Sequence, residues 1–333
     1  MRAVQWSLSK EKAANIAANR PTITGEFTDA LQDVLSDVLA EMPEAFDVLA
    51  FADLLVAPAR AARPRSTDDA PAVQENVIIR SGDVWTLGDH RLVCGDSTLP
   101  ETWDLLGVEN ALLVVTDPPY GVSYKGSDGS RAAIKNDDLS GERLQQFLGG
   151  AMGHTFAATC AGAVWWVWAP PGPQFLDFAV VFSQLGVWRQ TLAWVKNSLV
   201  LGHSDFHYKH ESAFYGWTPG AAHNAPNDRK QVSVIECDRP AAAEDHPTMK
   251  PVDLIRYCVE TSSEVGDVVI DPFLGSGTTL VVCEETGRRC HGIEFEPGYC
   301  DVIIRRWQTM TGKQAIRQDG KTFQDVRDCG VEG

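Results

Sequence analysis

The apolar run ending in Val114 and Val115 is followed by Asp117-Pro118-Pro119-Tyr120. Two adjacent prolines can neither donate to a sheet nor continue a helix, so regular structure must stop there. A carboxylate and an aromatic ring are thereby set on either side of a stiff turn at the end of a buried strand. This set suits an exocyclic amine on a flat base. Such an amine has its lone pair delocalised into the ring, and it becomes nucleophilic when acceptors hold its N–H groups as the nitrogen pyramidalises. Asp117 can supply a carboxylate oxygen, Pro118 a backbone carbonyl and Tyr120 a face on which the base stacks. A base treated in this way must first leave the duplex. The tetrapeptide alone fits equally well an ordinary turn in which Asp117 caps a helix.

A second constellation spans residues 267–294. An apolar strand ends at Asp271, and Pro272, Phe273 and Leu274 lead into Gly275-Ser276-Gly277. Thr278 and Thr279 then open a helix, and the next strand ends in Glu294. This is the logic of a nucleoside cofactor site at the carboxyl ends of parallel strands. The glycines let the backbone approach a ligand, and the acid accepts hydrogen bonds from ribose hydroxyls. The spacing lacks the third glycine of the dinucleotide fingerprint, and the loop has no lysine, which excludes a P-loop.

The elements that must position these residues can be read from periodicity. ALLVVT (111–116), AVWWVWA (163–169), TLAWVK (191–196), SAFYGW (212–217), DVVIDP (267–272) and RRCHGIEFEP (288–297) read as strands, and 84–97 as a hairpin, strand and loop. Trp165, Trp166 and Trp168 read as core. Helical segments alternate with the strands, so a mostly parallel sheet wrapped by helices is predicted from about residue 76 onward. Ahead of it, 27–42 shows helical spacing with one apolar face, and 57–75 is an Ala-, Pro- and Arg-rich linker. Residues 1–60 are therefore expected to form a small helical extension.

With 333 residues, 44 % of them hydrophobic, the chain can bury one large α/β core plus an appendage. No apolar run is long enough to span a membrane, and the N-terminus lacks the apolar core of a signal peptide. The eight cysteines form no C-x-x-C pair, so neither a zinc site nor a disulfide framework is predicted, and a reduced cytoplasmic setting is. His203 and His207 have i, i+4 spacing, but Gly202 and the aromatics around them argue against a helix, and no metal is expected. The net charge of −16 argues against holding nucleic acid by bulk attraction. Residues 151–250 are close to neutral, so a local basic groove there is the expected point of contact.

Taken together, DPPY at 117–120, HPTMKP at 246–251, DPFLGSGTT at 271–279 and GIEFEPGYC at 292–300 resemble a family of S-adenosylmethionine-dependent DNA amino-methyltransferases, acting on N6 of adenine or N4 of cytosine. Within it, the chain resembles the group whose catalytic motif precedes the cofactor motif. The resemblance covers about residues 76–312. It implies a doubly wound, mostly parallel seven-stranded sheet of the Rossmann-like methyltransferase type. It implies catalytic roles for Asp117, Pro118, Pro119 and Tyr120. It implies cofactor contacts from Asp271, Pro272, Phe273, Gly275, Ser276, Gly277 and Thr278, with Glu294 on the ribose and Asp96 on the cofactor's adenine. Thr248 and Lys250 fall where the family approaches the methionine carboxylate. The implied product is S-adenosylhomocysteine.

The family's adenine enzymes usually carry Asp at the first motif position and its cytosine enzymes Ser, so Asp117 favours adenine N6, with cytosine N4 as the alternative. Residues 196–240 are the expected DNA-recognition segment. In it Asn227, Arg229, Lys230 and Gln231 suit phosphate and base-edge contacts. Residues 1–60 resemble the tail of a partition-protein-like domain, which also raises the contrary reading of a non-catalytic DNA-binding adaptor. Double-stranded DNA is the implied partner, with a homodimer and a separate restriction subunit open beside it. A bacterial or phage origin is implied.

Overall fold

A computed structural model of the protein describes residues 70–74, 76–122, 137–200, 205–226, 230–238 and 249–330. All lie in one of the two units into which the chain divides, Ser66–Gly333. The expected helical extension 1–60, most of the linker, and Asn227, Arg229, His203, His246 and Thr248 lie outside the described residues.

The hairpin expected at 84–97 forms from β1 (Val84–Leu87) and β2 (His90–Cys94), which pair antiparallel. Helix α1 (Pro100–Leu106) leads to β3 (Ala111–Thr116). Helix α2 (Glu142–Ala158), β4 (Thr159–Ala169) and α3 (Phe175–Leu185) follow. Then come β5 (Trp188–Val200), β6 (Tyr208–Trp217) and β7 (Val234–Glu236). The remainder is α4 (Val252–Ser262), β8 (Val268–Asp271), α5 (Thr278–Thr286), β9 (Arg289–Glu294), α6 (Pro297–Thr311), β10 (Ile316–Arg317) and α7 (Phe323–Gly330).

The strands make one sheet in the order β10-β1-β2-β9-β8-β3-β4-β6-β5-β7. Five neighbours at its centre, β2, β9, β8, β3 and β4, run parallel, and β6 lies antiparallel between β4 and β5. The expected count of seven is corrected to ten. Seven strands from β2 to β5 form the body of the sheet, and β10 and β1 at one edge and β7 at the other extend it. Two of the three added strands span only two and three residues, too short to leave an alternating pattern in the sequence.

The central strands are apolar on both faces, as a sheet covered on both sides requires. In β4, Val164, Trp166 and Trp168 enter one apolar cluster, while Trp165, Val167 and Ala169 enter the other. The three tryptophans are thus core, as their setting in the sequence indicates. Two of the three indole nitrogens find hydroxyl partners: Trp165 Nε1 donates to Thr218 Oγ1 at 2.9 Å, and Trp166 Nε1 to Ser262 Oγ at 2.8 Å, whereas Trp168 Nε1 is buried without a hydrogen-bond partner. Helix α4 buries Val252, Ile255, Cys258, Val259 and Ser262, one face at 3.6-residue spacing, against the sheet. Its N-cap is Pro251, so Lys250 just ahead of it is left in extended chain. Among the described residues no helix is long and apolar enough to cross a membrane.

Candidate active site

Strands β3 and β8 are parallel neighbours, with Val114 opposite Ile270, so their carboxyl ends deliver the two sequence motifs side by side. Thr116, the last residue of β3, donates its hydroxyl to Asp271 Oδ1 at 2.7 Å. Phe273 N donates to the same oxygen at 3.1 Å, and Thr279 Oγ1 donates to Oδ2 at 2.7 Å. One buried carboxylate thereby ties the catalytic strand, the glycine loop and the first turn of α5. Burial raises its pKa to about 6, although all three donors favour the ionised form.

Beyond Thr116 the Asp-Pro-Pro-Tyr turn leaves the sheet, with Pro118 buried and Asp117 and Tyr120 half-buried. Gly121 closes it with a left-handed φ of 70°. The Gly121 amide donates to Asp137 Oδ1 at 2.9 Å. The Tyr120 ring meets Phe178 edge-on at 6.2 Å. Lys250 Nζ donates to Asp117 Oδ2 at 2.5 Å and to Tyr120 Oη at 3.1 Å. Tyr120 Oη in turn donates to Glu211 Oε2 at 2.9 Å. Asp117 Oδ1, by contrast, is buried and has no hydrogen-bond partner. A desolvated acceptor without a donor costs about 1–3 kcal/mol, which an incoming N–H group recovers.

Burial pushes the Asp117 carboxyl above its usual range against the pull of Lys250. Burial also opposes the charge on Lys250, but Asp117 and Glu211 outweigh it and hold the ammonium above its usual value. Glu211 is likewise opposed by burial, yet Lys250 and Lys196 bring it down to about 2. Burial, with Asp117 and Glu211 nearby, pushes the Tyr120 phenol well up, so it stays a neutral donor.

The glycine loop stands beside this turn. Glu294, at the end of β9, accepts from Gly275 N at 2.7 Å and from Glu296 N at 2.8 Å. Burial nevertheless raises its pKa to about 7. Gly277 has φ 85°, and a Cβ there would meet Ile303 Cγ1 at 2.9 Å, so the loop rests directly on α6. Gly275 has φ 55° with nothing within 4 Å of a Cβ position, so its backbone is open to a ligand. Ser276 and Thr278 are turned inward on Arg306: Arg306 Nη1 donates to Ser276 O at 3.2 Å and to Thr278 Oγ1 at 3.4 Å. The Phe273 ring packs on Phe147 at 5.7 Å, and Pro272 is buried.

Asp96 follows β2, the neighbour of β9, and Gly95 N donates to Glu294 O at 2.9 Å. Asp96 Oδ1 accepts from Thr98 N at 2.9 Å and Thr98 Oγ1 at 2.7 Å. Two carboxylates on adjacent strand ends, one open glycine backbone and a half-buried aromatic form a donor and acceptor set that fits a nucleoside. Among the described residues no group of His, Cys, Asp and Glu is arranged to hold a metal ion.

Lys250, which the motif order sends toward the cofactor, is placed on the catalytic turn. Of the expected recognition residues that are described, Lys230 is exposed and Gln231 Oε1 accepts from Tyr257 Oη on α4 at 2.6 Å. Glu211, on β6, is a site residue that the sequence motifs do not mark: it accepts from Tyr120 Oη and pairs with Lys250. Lys196 on β5 donates to Glu211 Oε1 at 2.5 Å. An acid and a lysine on neighbouring buried strands were the available signal.

The N6/N4 DNA methylase family model matches residues 111–305, more than half of the chain. The chain is 39 % identical over 104 residues to the type II methyltransferase M.XycI of Xanthomonas campestris pv. cyanopsidis, which covers 30 % of this chain and 34 % of that one. It is 36 % identical over 101 residues to the type II methyltransferase M.Cfr9I of Citrobacter freundii, again 30 % and 34 %. The matches thus span about a third of the length of these curated relatives. The solved PvuII DNA methyltransferase, described as cytosine-N4-specific, shares the fold with a TM-score of 0.52 at 14 % identity, over 68 % of this chain and 92 % of that chain.

Proposed function

The chain belongs to the N6/N4 DNA methylase family, and from that premise we propose that it methylates the N6 amine of an adenine flipped out of double-stranded DNA. S-Adenosylmethionine would be the donor and S-adenosylhomocysteine the product. The observation that carries this reading is the unpaired, buried Asp117 Oδ1 at the carboxyl end of β3, beside the glycine loop of β8. It is an acceptor held ready for an N–H group. The cofactor supplies a methyl group on a positively charged sulfur. Asp117 Oδ1 and the Pro118 carbonyl would accept the two N–H groups of the base and stabilise the charge that grows on nitrogen as the C–S bond breaks and the N–C bond forms; one of those two protons then leaves the methylated amine for solvent. Tyr120 stacks on the ring. The turn and loop hold the reactants in line, and no enzyme atom bonds to the methyl group. Residues 196–240 are proposed to read the DNA, and the cytoplasm is the proposed setting.

Cytosine N4 presents the same amine on a flat ring, so the test must separate the two bases. Radiolabelled S-adenosylmethionine and mixed-sequence DNA, followed by nucleoside analysis, are expected to put the label in N6-methyladenine. Label in N4-methylcytosine would move the reading to the alternative. Label in neither, with cofactor bound, would leave an adaptor.

Glu294 makes cofactor binding depend on pH. An ionised carboxylate accepts from both ribose hydroxyls, and burial raises this one to about 7. Lowering the pH through that value protonates it and removes the acceptors, so cofactor affinity should fall from about pH 8 to about pH 6. Titration calorimetry across that range checks the slope. Glu294→Gln should bind the cofactor more weakly and with little dependence on pH; a wild-type slope in that variant would refute the assignment.

A further inference from the structure

Four ionisable side chains from four separate segments stand in a row of alternating sign. They are Lys196 on β5, Glu211 on β6, Lys250 ahead of α4 and Asp117 after β3. The contacts along the row are 2.5 Å, 3.0 Å and 2.5 Å. Glu211 lies opposite Trp194 in the β5–β6 ladder, which fixes its height beside the catalytic turn. The lysine side chains are almost sealed, at 5 % and 7 % exposed, and each sits over aromatic rings: Lys196 over Trp194, and Lys250 over Tyr120 and Trp168. Burying charge in this way is costly unless each ion is paired, and alternation pairs them all. Accepting an amine N–H asks for a carboxylate oxygen only; it does not explain a second acid and two lysines.

The geometry shows what the second acid does. Lys250 bonds only one Asp117 oxygen, Oδ2, while Oδ1 stays buried and unpaired. An ammonium attracted by Asp117 alone would be free to swing across the carboxylate and satisfy Oδ1 as well. Glu211 Oε2, 3.0 Å from Nζ, pulls it to the far side. We propose that Glu211 is a positioning residue that, anchored by Lys196, holds Lys250 on Asp117 Oδ2 and so reserves Oδ1 for the substrate amine.

The groups facing Asp117 are Lys250, Glu211, Tyr120 of its own turn and Asp271 on β8. The lysine favours the carboxylate, and the acids oppose it. Losing Glu211 should therefore make Asp117 easier to ionise and a poorer acceptor for the base at once, a combination that ordinary structural damage does not produce. The inference rests on the methyl-transfer reading for its purpose, so the test has one arm that needs no turnover. In the full-length protein, with aspartate carboxyls labelled by carbon-13 and the Asp117 signal identified through Asp117→Asn, Glu211→Gln is expected to move the Asp117 titration to lower pH. Lys250→Met is expected to move it to higher pH.

In the second arm, Glu211→Gln loses about tenfold to a hundredfold in turnover with cofactor affinity within about twofold. Glu211→Asp recovers part of the loss. An unmoved titration, or a moved titration with full turnover, overturns the inference. Should Glu211→Gln fail to fold, Lys196→Gln probes the row from its far end, and loss of that cation should raise the Asp117 titration. A wild-type protein that transfers no methyl group would remove the function proposed above, while the titration shifts would still report the charge row.

Discussion

Asp117→Ala is expected to abolish methyl transfer while cofactor binding survives. The alanine deletes a buried acceptor with no hydrogen-bond partner, Oδ1, and with it the charge that stabilises a developing cation on the amine. Loss of a single preorganised hydrogen-bonding group of this kind typically costs about 10²–10³ in rate, and the lost formal charge adds to that, so a fall of at least about 10³-fold is expected. The glycine loop hangs from Asp271 and Glu294, and neither bonds Asp117. Cofactor affinity should therefore stay within about twofold of wild type. The variant leaves Lys196 and Lys250 sharing Glu211, one buried cation in excess, so a lower melting temperature is also expected. Single-turnover assays beside calorimetric binding check both halves. Methyl transfer within tenfold of wild type would remove Asp117 from the chemistry.

Gly121→Ala should damage the same turn from behind. Gly121 has φ 70°, and a Cβ there would lie 2.1 Å from the carbonyl oxygen of Leu139 and 3.1 Å from Leu144 Cδ2. Backbone cannot withdraw as a flexible side-chain tip can, so the turn itself must shift. The left-handed conformation adds strain for any residue with a Cβ. A destabilisation of about 3 kcal/mol is expected. The 2.9 Å bond from Gly121 N to Asp137 Oδ1 will stretch as the turn moves. Because Tyr120 precedes this residue directly, a shift on the order of 1 Å also costs about 10²-fold in turnover. Denaturant unfolding gives the first quantity and steady-state assays the second. An alanine variant as stable and as active as wild type would show that the turn is softer than its contacts indicate.

Much of the fold was legible because its signals are local. ALLVVT marks β3 at both ends, and Thr278 and Thr279 open α5 as read from the sequence, with Gly287 in a left-handed conformation closing that helix. The strand containing the three tryptophans starts four residues before the run read from sequence, since Thr159 to Gly162 have no apolar pattern to betray them. The strands β7 and β10 left no trace because two or three residues cannot display a period.

The site divides along the same line. The DPPY turn and glycine loop announce themselves by rigid and flexible residues in sequence, and the sheet brings them together as adjacent strand ends. The ion row did not announce itself. Its members come from residues 117, 196, 211 and 250, and only pairing in the folded sheet makes neighbours of them. Lys250 shows the limit most clearly. Its motif suggests a direction, but the side chain is set by Asp117, Glu211 and the tyrosine ring, three groups remote from it in the chain.

The Thr116–Asp271 bond joins two residues 155 positions apart, yet nothing in it depends on which is translated first. The strands that carry them are parallel neighbours, and their connections pass elsewhere. A gene encoding the glycine loop before the proline turn would build the same bond at the same strand ends, provided the chain opened in some other loop. The chemistry in this architecture is therefore encoded in which two strands lie side by side, and not in the order of the motifs along the chain.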